Sequence, residues 1–273
     1  MAWLPSVYSF PTPSLASGAG LNRRTFFDGF DNIATFDTAN TGNAGFNWYM
    51  TGAVWPNVNG AGVGNFNAGP VSGTPTNFTV GGGMLKYKGD TTLNYAGLSS
   101  LHYGGAGQSF AGGFYMEASM ALMFDNPVTS PVGNGALWAD TEGELLGVSP
   151  YGGVFEIDFF ETFDTGHDIE GRAHWWKDGV GETMVNGPKT LVASPRDIGR
   201  SHTYGFLWIT AAQGGGTGSM KWYLDGAQKG TTFTYTSADE WHDCLENEGF
   251  VLLIGAGNSN VPMNFNYVGV WQT

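Results

Sequence analysis

The sequence predicts an all-β protein, a β-sandwich jelly roll of two packed sheets with one concave face. Three observations carry that prediction. Glycine supplies 44 of 273 residues and charged side chains only 13%, a composition of tight turns rather than of solvated helices. No stretch repeats its apolar residues with the helical period of about 3.6, and no internal repeat of fixed length is evident. Apolar runs of strand length alternate instead with turns rich in Gly, Asn, Ser and Thr, at 84–88, 114–124, 154–161, 203–210, 219–224, 250–255 and 265–272. All-β units of roughly 200–250 residues commonly fold as one domain. The chain is therefore divided into an N-terminal arm or linker, residues 1–25, and a single domain over 26–273.

Taken in chain order, the stretch 5–20 is rich in Pro, Ser and Gly and reads as the arm. Arg23-Arg24-Thr25-Phe26-Phe27 is followed by Asp28-Gly29-Phe30-Asp31, not by an apolar segment, so the paired arginines open the domain rather than an export signal. No signal peptide and no transmembrane run is visible in the sequence. Asn77-Phe78-Thr79 is a glycosylation sequon that matters only in a eukaryotic secretory host. From Tyr115 to Leu122 the residues alternate: Met116, Ala118, Met120 and Leu122 take one face, Glu117, Ser119 and Ala121 the other. That is the inward and outward pattern of packed sheets. The sole cysteine, Cys244, excludes an intrachain disulfide, and its neighbours His242 and Asp243 lack the spacing of a zinc site.

The run Glu156-Ile157-Asp158-Phe159-Phe160-Glu161 holds three carboxylates among apolar residues. Strand alternation puts Glu156 and Asp158 on one face and Phe155, Ile157 and Phe159 on the other. Glu161 has the wrong parity and would enter the core. One extra residue in the strand, a β-bulge, returns it to the face of the other acids. Acids this close titrate as a unit, with at least one pKa raised. A carboxylate kept ionised beside a carboxylic acid kept neutral is what glycoside hydrolysis needs, the two standing ~5–5.5 Å apart in a retaining enzyme. A solvated acidic face and a calcium site are the plainer alternatives. The flanking Gly152-Gly153-Val154-Phe155 reads as interior and argues against the first.

The same segment resembles the active-site signature of glycoside hydrolase family 16 in its bulged Glu-x-Asp-x-x-Glu form, which laminarinases, agarases and carrageenases carry. Lichenases and xyloglucan enzymes have the bulge-free form. Further matches flank it. Gly113-Phe114-Tyr115-Met116-Glu117-Ala118-Ser119 is similar to the family's G-Y-F-E-A-R strand, with Ser119 in place of arginine, and Gly135-Ala136-Leu137-Trp138-Ala139 to its G-L-W-P-A strand, with the proline lost. His202–Trp208, Trp222–Gly226 and Asn266–Trp271 resemble three later family strands. The resemblance runs from about residue 26 to the C-terminus, and implies the concanavalin A-like lectin/glucanase fold with a concave substrate cleft. It implies Glu156 as nucleophile, Glu161 as acid/base and Asp158 between them as the assisting acid, with retention of anomeric configuration.

A sugar cleft wants flat aromatic faces and a few polar groups. Trp138, Trp175 and Trp176 are the candidate platforms, with His174, which has the parity of Trp176, beside them. Asn47-Trp48 resembles a further cleft element of the family. Trp208 and Trp222, framed by apolar residues, read as core. The resemblance also implies a structural calcium with Asp28 and Asp31 as candidate ligands, although Asn266 stands where the family has aspartate; no cofactor is required for the chemistry.

Net charge is −13, from 11 basic and 24 acidic residues. That speaks against nucleic acid, whose affinity depends on clustered Lys and Arg. The middle of the chain offers few cations for a sulfated galactan, namely Arg172, Lys177 and Lys189. The expected activity is a retaining endo-glycosidase on a neutral polysaccharide, first a β-1,3- or β-1,3-1,4-glucan and second an agarose-type galactan. A transglycosylase on the same fold and a non-catalytic, lectin-like carbohydrate-binding module are the alternatives. The expected partner is polysaccharide alone, with no nucleic acid or membrane; the protein is expected to be a monomer acting outside the cell.

Overall fold

The computed structural model of the chain describes residues 10–39, 41–50, 78–87, 96–102, 104–122, 134–145, 150–162, 169–191, 199–257 and 263–273. The sequon residue Asn77, the start of the arm at 5–9 and the ends of two expected strands (88 and 123–124) lie outside them. In chain order the first eight strands are β1 (Arg23–Asp28), β2 (Phe36–Asp37), β3 (Trp48–Met50), β4 (Phe78–Val80), β5 (Leu85–Tyr87), β6 (Ala96–Ser99), β7 (Phe114–Leu122) and β8 (Asn134–Thr141). They are followed by β9 (Gly153–Thr162), β10 (Ile169–Lys177), β11 (Gly181–Asn186), β12 (His202–Ile209), β13 (Gly218–Leu224), β14 (Ala227–Tyr235), β15 (Phe250–Gly257) and β16 (Met263–Gln272). Among the described residues the helices are short turns, α1 (Ser14–Gly18), α2 (Glu142–Leu145) and α3 (His242–Asn247). No helix among the described residues is long and apolar enough to cross a membrane.

The strands form two eight-stranded sheets. The first runs β14-β13-β12-β7-β16-β5-β4, with β1 also paired to β16; the second runs β11-β10-β9-β8-β15-β6-β3-β2. The pairs are antiparallel, apart from the short β2–β3 pair. β7 buries Met116, Ala118, Met120 and Leu122, while Glu117, Ser119 and Ala121 stay half-exposed. The alternation of the sequence is thus the alternation of the sheet. The inner faces meet in one apolar core, with Met116, Phe206, Trp208, Trp222 and Val268 from the first sheet and Leu137, Phe155, Ile157, Trp175 and Leu252 from the second. Each large side chain so buried contributes about 1.5–3 kcal/mol. The result is the jelly-roll sandwich, with two outward faces left for other work.

From Phe10 onward the arm packs against the domain. β1 already opens at Arg23, so the boundary expected at 25/26 falls inside a strand paired with β16. Ahead of it, Ala16 and Leu21 are buried against Tyr115, Leu207, Tyr223 and Trp271 on the outward face of the first sheet. The Phe10 ring packs there too, 4.6 Å from Tyr267 and 5.1 Å from Phe27. An apolar patch on the outside of a sheet needs a cover, and residues 10–21 supply it.

Candidate active site

β9 occupies the interior of the second sheet, between β8 and β10. Its ladder breaks at one place. Toward β8, Leu137 pairs with Phe160 while the next residue, Trp138, pairs with Asp158. Toward β10, Glu170 pairs with Glu161 and Arg172 with Asp158, so two steps on one strand match three on the other. The extra residue of β9 lies between Asp158 and Phe160. It turns both phenylalanines inward: Phe159 packs 5.2 Å from the Phe206 ring and Phe160 4.9 Å from Tyr204, across the core. Glu156, Asp158 and Glu161 consequently share the outward face. Trp222, on the opposite sheet, donates its indole N–H through the core to the carbonyl of Asp158 at 2.8 Å. Room for that indole comes from Gly171, where an added Cβ would lie 2.4 Å from it.

Two side chains of β10 grip the acids. Trp176 donates Nε1–H to Glu156 Oε2 at 2.7 Å, and His174 Nε2 meets Asp158 Oδ2 at 2.9 Å. The two rings stack on each other, centroids 5.8 Å apart and 17° from parallel. The other imidazole nitrogen, Nδ1, is bound to Glu182 of β11. Carboxylates at both nitrogens make the ring a double donor, an imidazolium. Burial alone would lower its pKa, but the hydrogen bond and charge of Asp158, with Glu156 and Glu182, push it up to about 10. Arg172, directly opposite Asp158, is engaged by Glu170.

The two glutamates are held toward the protonated side. Burial, then the charge of Asp158, raises Glu156 to about 8 and Glu161 to about 9. They differ in their partners. Glu156 has the Trp176 N–H and the His174 charge to favour its ionised form. Glu161 draws no hydrogen-bond donor among the described residues, and only the charges of His174 and then Arg172 favour its ionised form. Chemically this is one carboxyl with donors for its ionised form beside another that has none and keeps its proton more readily.

Of the other residues the sequence singled out, Trp138 lies on the same outward face, opposite Asp158, walled by Leu101, Ala136, Val251 and Leu253. Trp175 does not: it is 1% exposed and packed in the core against Phe155, so it cannot meet a substrate. Alternation had left open which of the tryptophan pair faces outward, and it is Trp176. Trp48 is likewise core, stacked between Phe30 and Phe36. β3 sits four strands from β9 in the sheet, and Asn47 spends its amide on the Phe27 carbonyl and the Asp28 carboxylate. Trp208 and Trp222 are both fully buried.

Asp28 is buried, and its oxygens accept N–H groups from Phe30, Asn47 and Trp48 at 2.8–3.1 Å. Calcium takes oxygen ligands, and N–H donors aimed at the carboxylate do not fit it. Asp31 is exposed, and Asn266 bonds Ser119 and Ser201 instead. Among the described residues the His, Cys, Asp and Glu side chains close enough to share a cation are Glu156, Asp158 and His174, whose ligand atoms lie within 4.8 Å of one another; they are the site itself.

Two site residues were missed from the sequence. Asp140, on β8 opposite Glu156, is buried and receives the Trp138 indole N–H at 2.9 Å. Its parity with Trp138 was the available signal. Glu182 had no such signal, because a bulge at Thr183 shifts β11 by one residue to bring it beside His174.

Solved structures with this fold decide the architecture. A laminarinase from Flavobacterium sp. UMI-01 matches with a TM-score of 0.59 at 18% identity, covering 92% of this chain and 100% of that one. The fold is that of the family 16 glycoside hydrolases. A non-specific endo-β-1,3(4)-glucanase from that family, with a 1,3-β-D-cellobiosyl-glucose at its active site, gives 0.60 at 18% identity over 92% of this chain and 94% of the other. A β-agarase A in complex with oligoagarose gives 0.54 at 15% identity, with 92% of each chain covered. No protein-family model matches the sequence, and no curated protein matches it either.

Proposed function

We propose that the protein is a retaining endo-glycosidase that hydrolyses internal β-linkages of a neutral polysaccharide, first of all a β-1,3- or β-1,3-1,4-glucan, outside the cell. The observation that carries this reading is the bulge of β9, which lines up Glu156, Asp158 and Glu161 on one face and gives each a different electrostatic setting. Glu156, oriented by Trp176, attacks the anomeric carbon and forms a glycosyl-enzyme. Glu161 gives its proton to the departing glycosidic oxygen, then takes one from the incoming water. Asp158, tied to the His174 imidazolium, stands between them and keeps their two protonation states apart. No cofactor takes part in these steps.

The neutral substrate is supported by the cations near the site. His174 is shared between two carboxylates and Arg172 is engaged by Glu170. Further out, Lys177 is paired with Glu240. The test is product release from laminarin, lichenan, agarose and carrageenan by wild type and Glu156→Gln, with the anomer of the first product followed by proton NMR. Wild type cuts at least one neutral polymer with retention, and the variant does not. Equal release of reducing ends by both proteins would overturn the assignment of Glu156, inversion would overturn the mechanism, and binding by both without cleavage would favour a lectin-like role.

A further inference from the structure

Asp140 has no part in the reaction as written, yet it stands one strand away from Glu156 and directly opposite it. It is 3% exposed. Its two oxygens have unequal surroundings. Oδ2 accepts the indole N–H of Trp138, whereas Oδ1 is buried and meets no hydrogen-bond partner among the described residues. Leaving a buried carboxyl oxygen unpaired costs stability, and such an atom in a native fold calls for an explanation. The charges of Glu156 and Asp158 add to that cost, and with burial they push the Asp140 carboxyl well above the usual carboxylate range. The Trp138 indole requires an acceptor at this position, which Oδ2 alone supplies, and leaves Oδ1 without a structural task among the described residues.

We propose that Asp140 is a specificity-determining residue whose Oδ1 hydrogen-bonds a ring hydroxyl of the sugar unit seated against Glu156, so that this subsite takes an unsubstituted neutral sugar. The inference rests on the glycosidase reading and deepens it. A hydroxyl suits the position because it donates and accepts, and so pairs with Oδ1 whether or not the carboxyl carries a proton. A sulfate ester at the same place would face Asp140, Glu156 and Asp158 together, with the nearest cation, His174, already held between two carboxylates. Trp138 adds rigidity: its N–H is fixed by Oδ2 and its ring is walled by Leu101, Val251 and Leu253, so the oxygen beside it is held in place before the sugar arrives.

The test is a cycle between enzyme and substrate variants. Wild type, Asp140→Ala and Asp140→Asn are assayed on whichever of laminarin, lichenan and agarose the wild type cuts. They are then assayed on the matching trisaccharide 4-nitrophenyl glycoside and on its monodeoxy analogues. Asp140→Ala is expected to lose roughly 10–100-fold in kcat/KM on the parent glycoside, the range for leaving a buried hydrogen-bonding group without its partner. On the one analogue that lacks the partnered hydroxyl it loses less than about threefold. Asp140→Asn, which keeps an acceptor for Trp138, loses in the same pattern to a smaller extent, and carries the comparison alone if the alanine variant fails to fold by circular dichroism. Equal losses on the parent and every analogue would show that Asp140 only holds Trp138, and unchanged kcat/KM would show that it does nothing; either overturns the inference. A wild type that cuts none of the polymers would instead overturn the glycosidase reading on which it rests.

Discussion

The outward faces of the two sheets both carry carboxylates, and they treat them in opposite ways. On the first sheet Glu117 accepts the hydroxyls of Tyr115 and Tyr267 at 2.7 and 2.8 Å, one to each oxygen. Around it Ser119, Ser201 and Asn266 bond one another. On the second sheet Glu156, Asp158, Glu161 and Asp140 share two indole N–H groups and one imidazole, itself divided with Glu182. Glu117 has a neutral donor for each oxygen. Where donors are fewer than acids, Glu156, Glu161 and Asp140 keep their protons at pH values that would strip an ordinary carboxyl. That shortage costs stability and marks this face as the candidate site.

The contrast breaks most sharply at Glu156. Glu156→Gln is expected to lower kcat by about 10⁴-fold or more, as removal of a nucleophile does, while Glu117→Gln leaves kcat within about twofold; a comparable loss in the two would erase the distinction between the faces. Glu161→Gln comes next, with a fall of roughly 10²–10⁴-fold for the lost acid/base and a gain in stability on the alkaline side. The sign follows from proton linkage. The folded chain holds the Glu161 proton up to about pH 9, while the unfolded chain releases it near the ordinary value of 4.5. The folded state therefore binds the extra proton in between, and stability falls as pH rises through that window. At pH 8 the variant, which lacks this slope, is expected to be more stable by about 3–5 kcal/mol, measured by urea unfolding; no gain would mean that Glu161 is not held protonated.

The pH dependence of kcat/KM sharpens the comparison further. With Glu156 at about 8 and Glu161 at about 9, the active form carries one proton between them, and the bell lies well to the alkaline side of an ordinary carboxylate pair. Glu182→Gln removes one partner of the imidazolium, so its pKa falls and the charge that favours ionised Glu156 is lost at lower pH. The profile is expected to change shape while the melting temperature stays within a few degrees; an unchanged profile would remove Glu182 from the site. The smallest effect belongs to the structural face. Glu117→Leu leaves two tyrosine hydroxyls without their acceptor and is expected to cost about 1–3 kcal/mol, with activity intact.

Much of this was legible in the sequence because it is local. The parity of Glu161 demanded a bulge, and the ladder shows one at Phe159–Phe160. The alternation of 115–122 gave the burial of β7, and the shared parity of His174 and Trp176 placed them on one face. What escaped was non-local. Trp48 and Asn47 lie far from β9 because of sheet order, which no short segment encodes. Glu182 reaches His174 only through a bulge on a different strand, and the arm is ordered by an apolar patch assembled from β7, β12, β13 and β16. Asp140 could have been placed by parity with Trp138, but a lone acid on an apolar strand gave no second residue to pair it with.

The bond from Trp222 to the Asp158 carbonyl has a consequence for how the protein fails. It anchors β9, at its bulge, to the sheet on the other side of the core, and Gly171 leaves space for nothing larger beneath the indole. The bulge cannot relax while the sandwich is closed. Hydrogen exchange at the amides of Asp158 to Glu161 will therefore proceed at the rate of global opening rather than by local fraying. Heating will extinguish catalysis and tertiary structure at the same midpoint, with no inactive folded species in between.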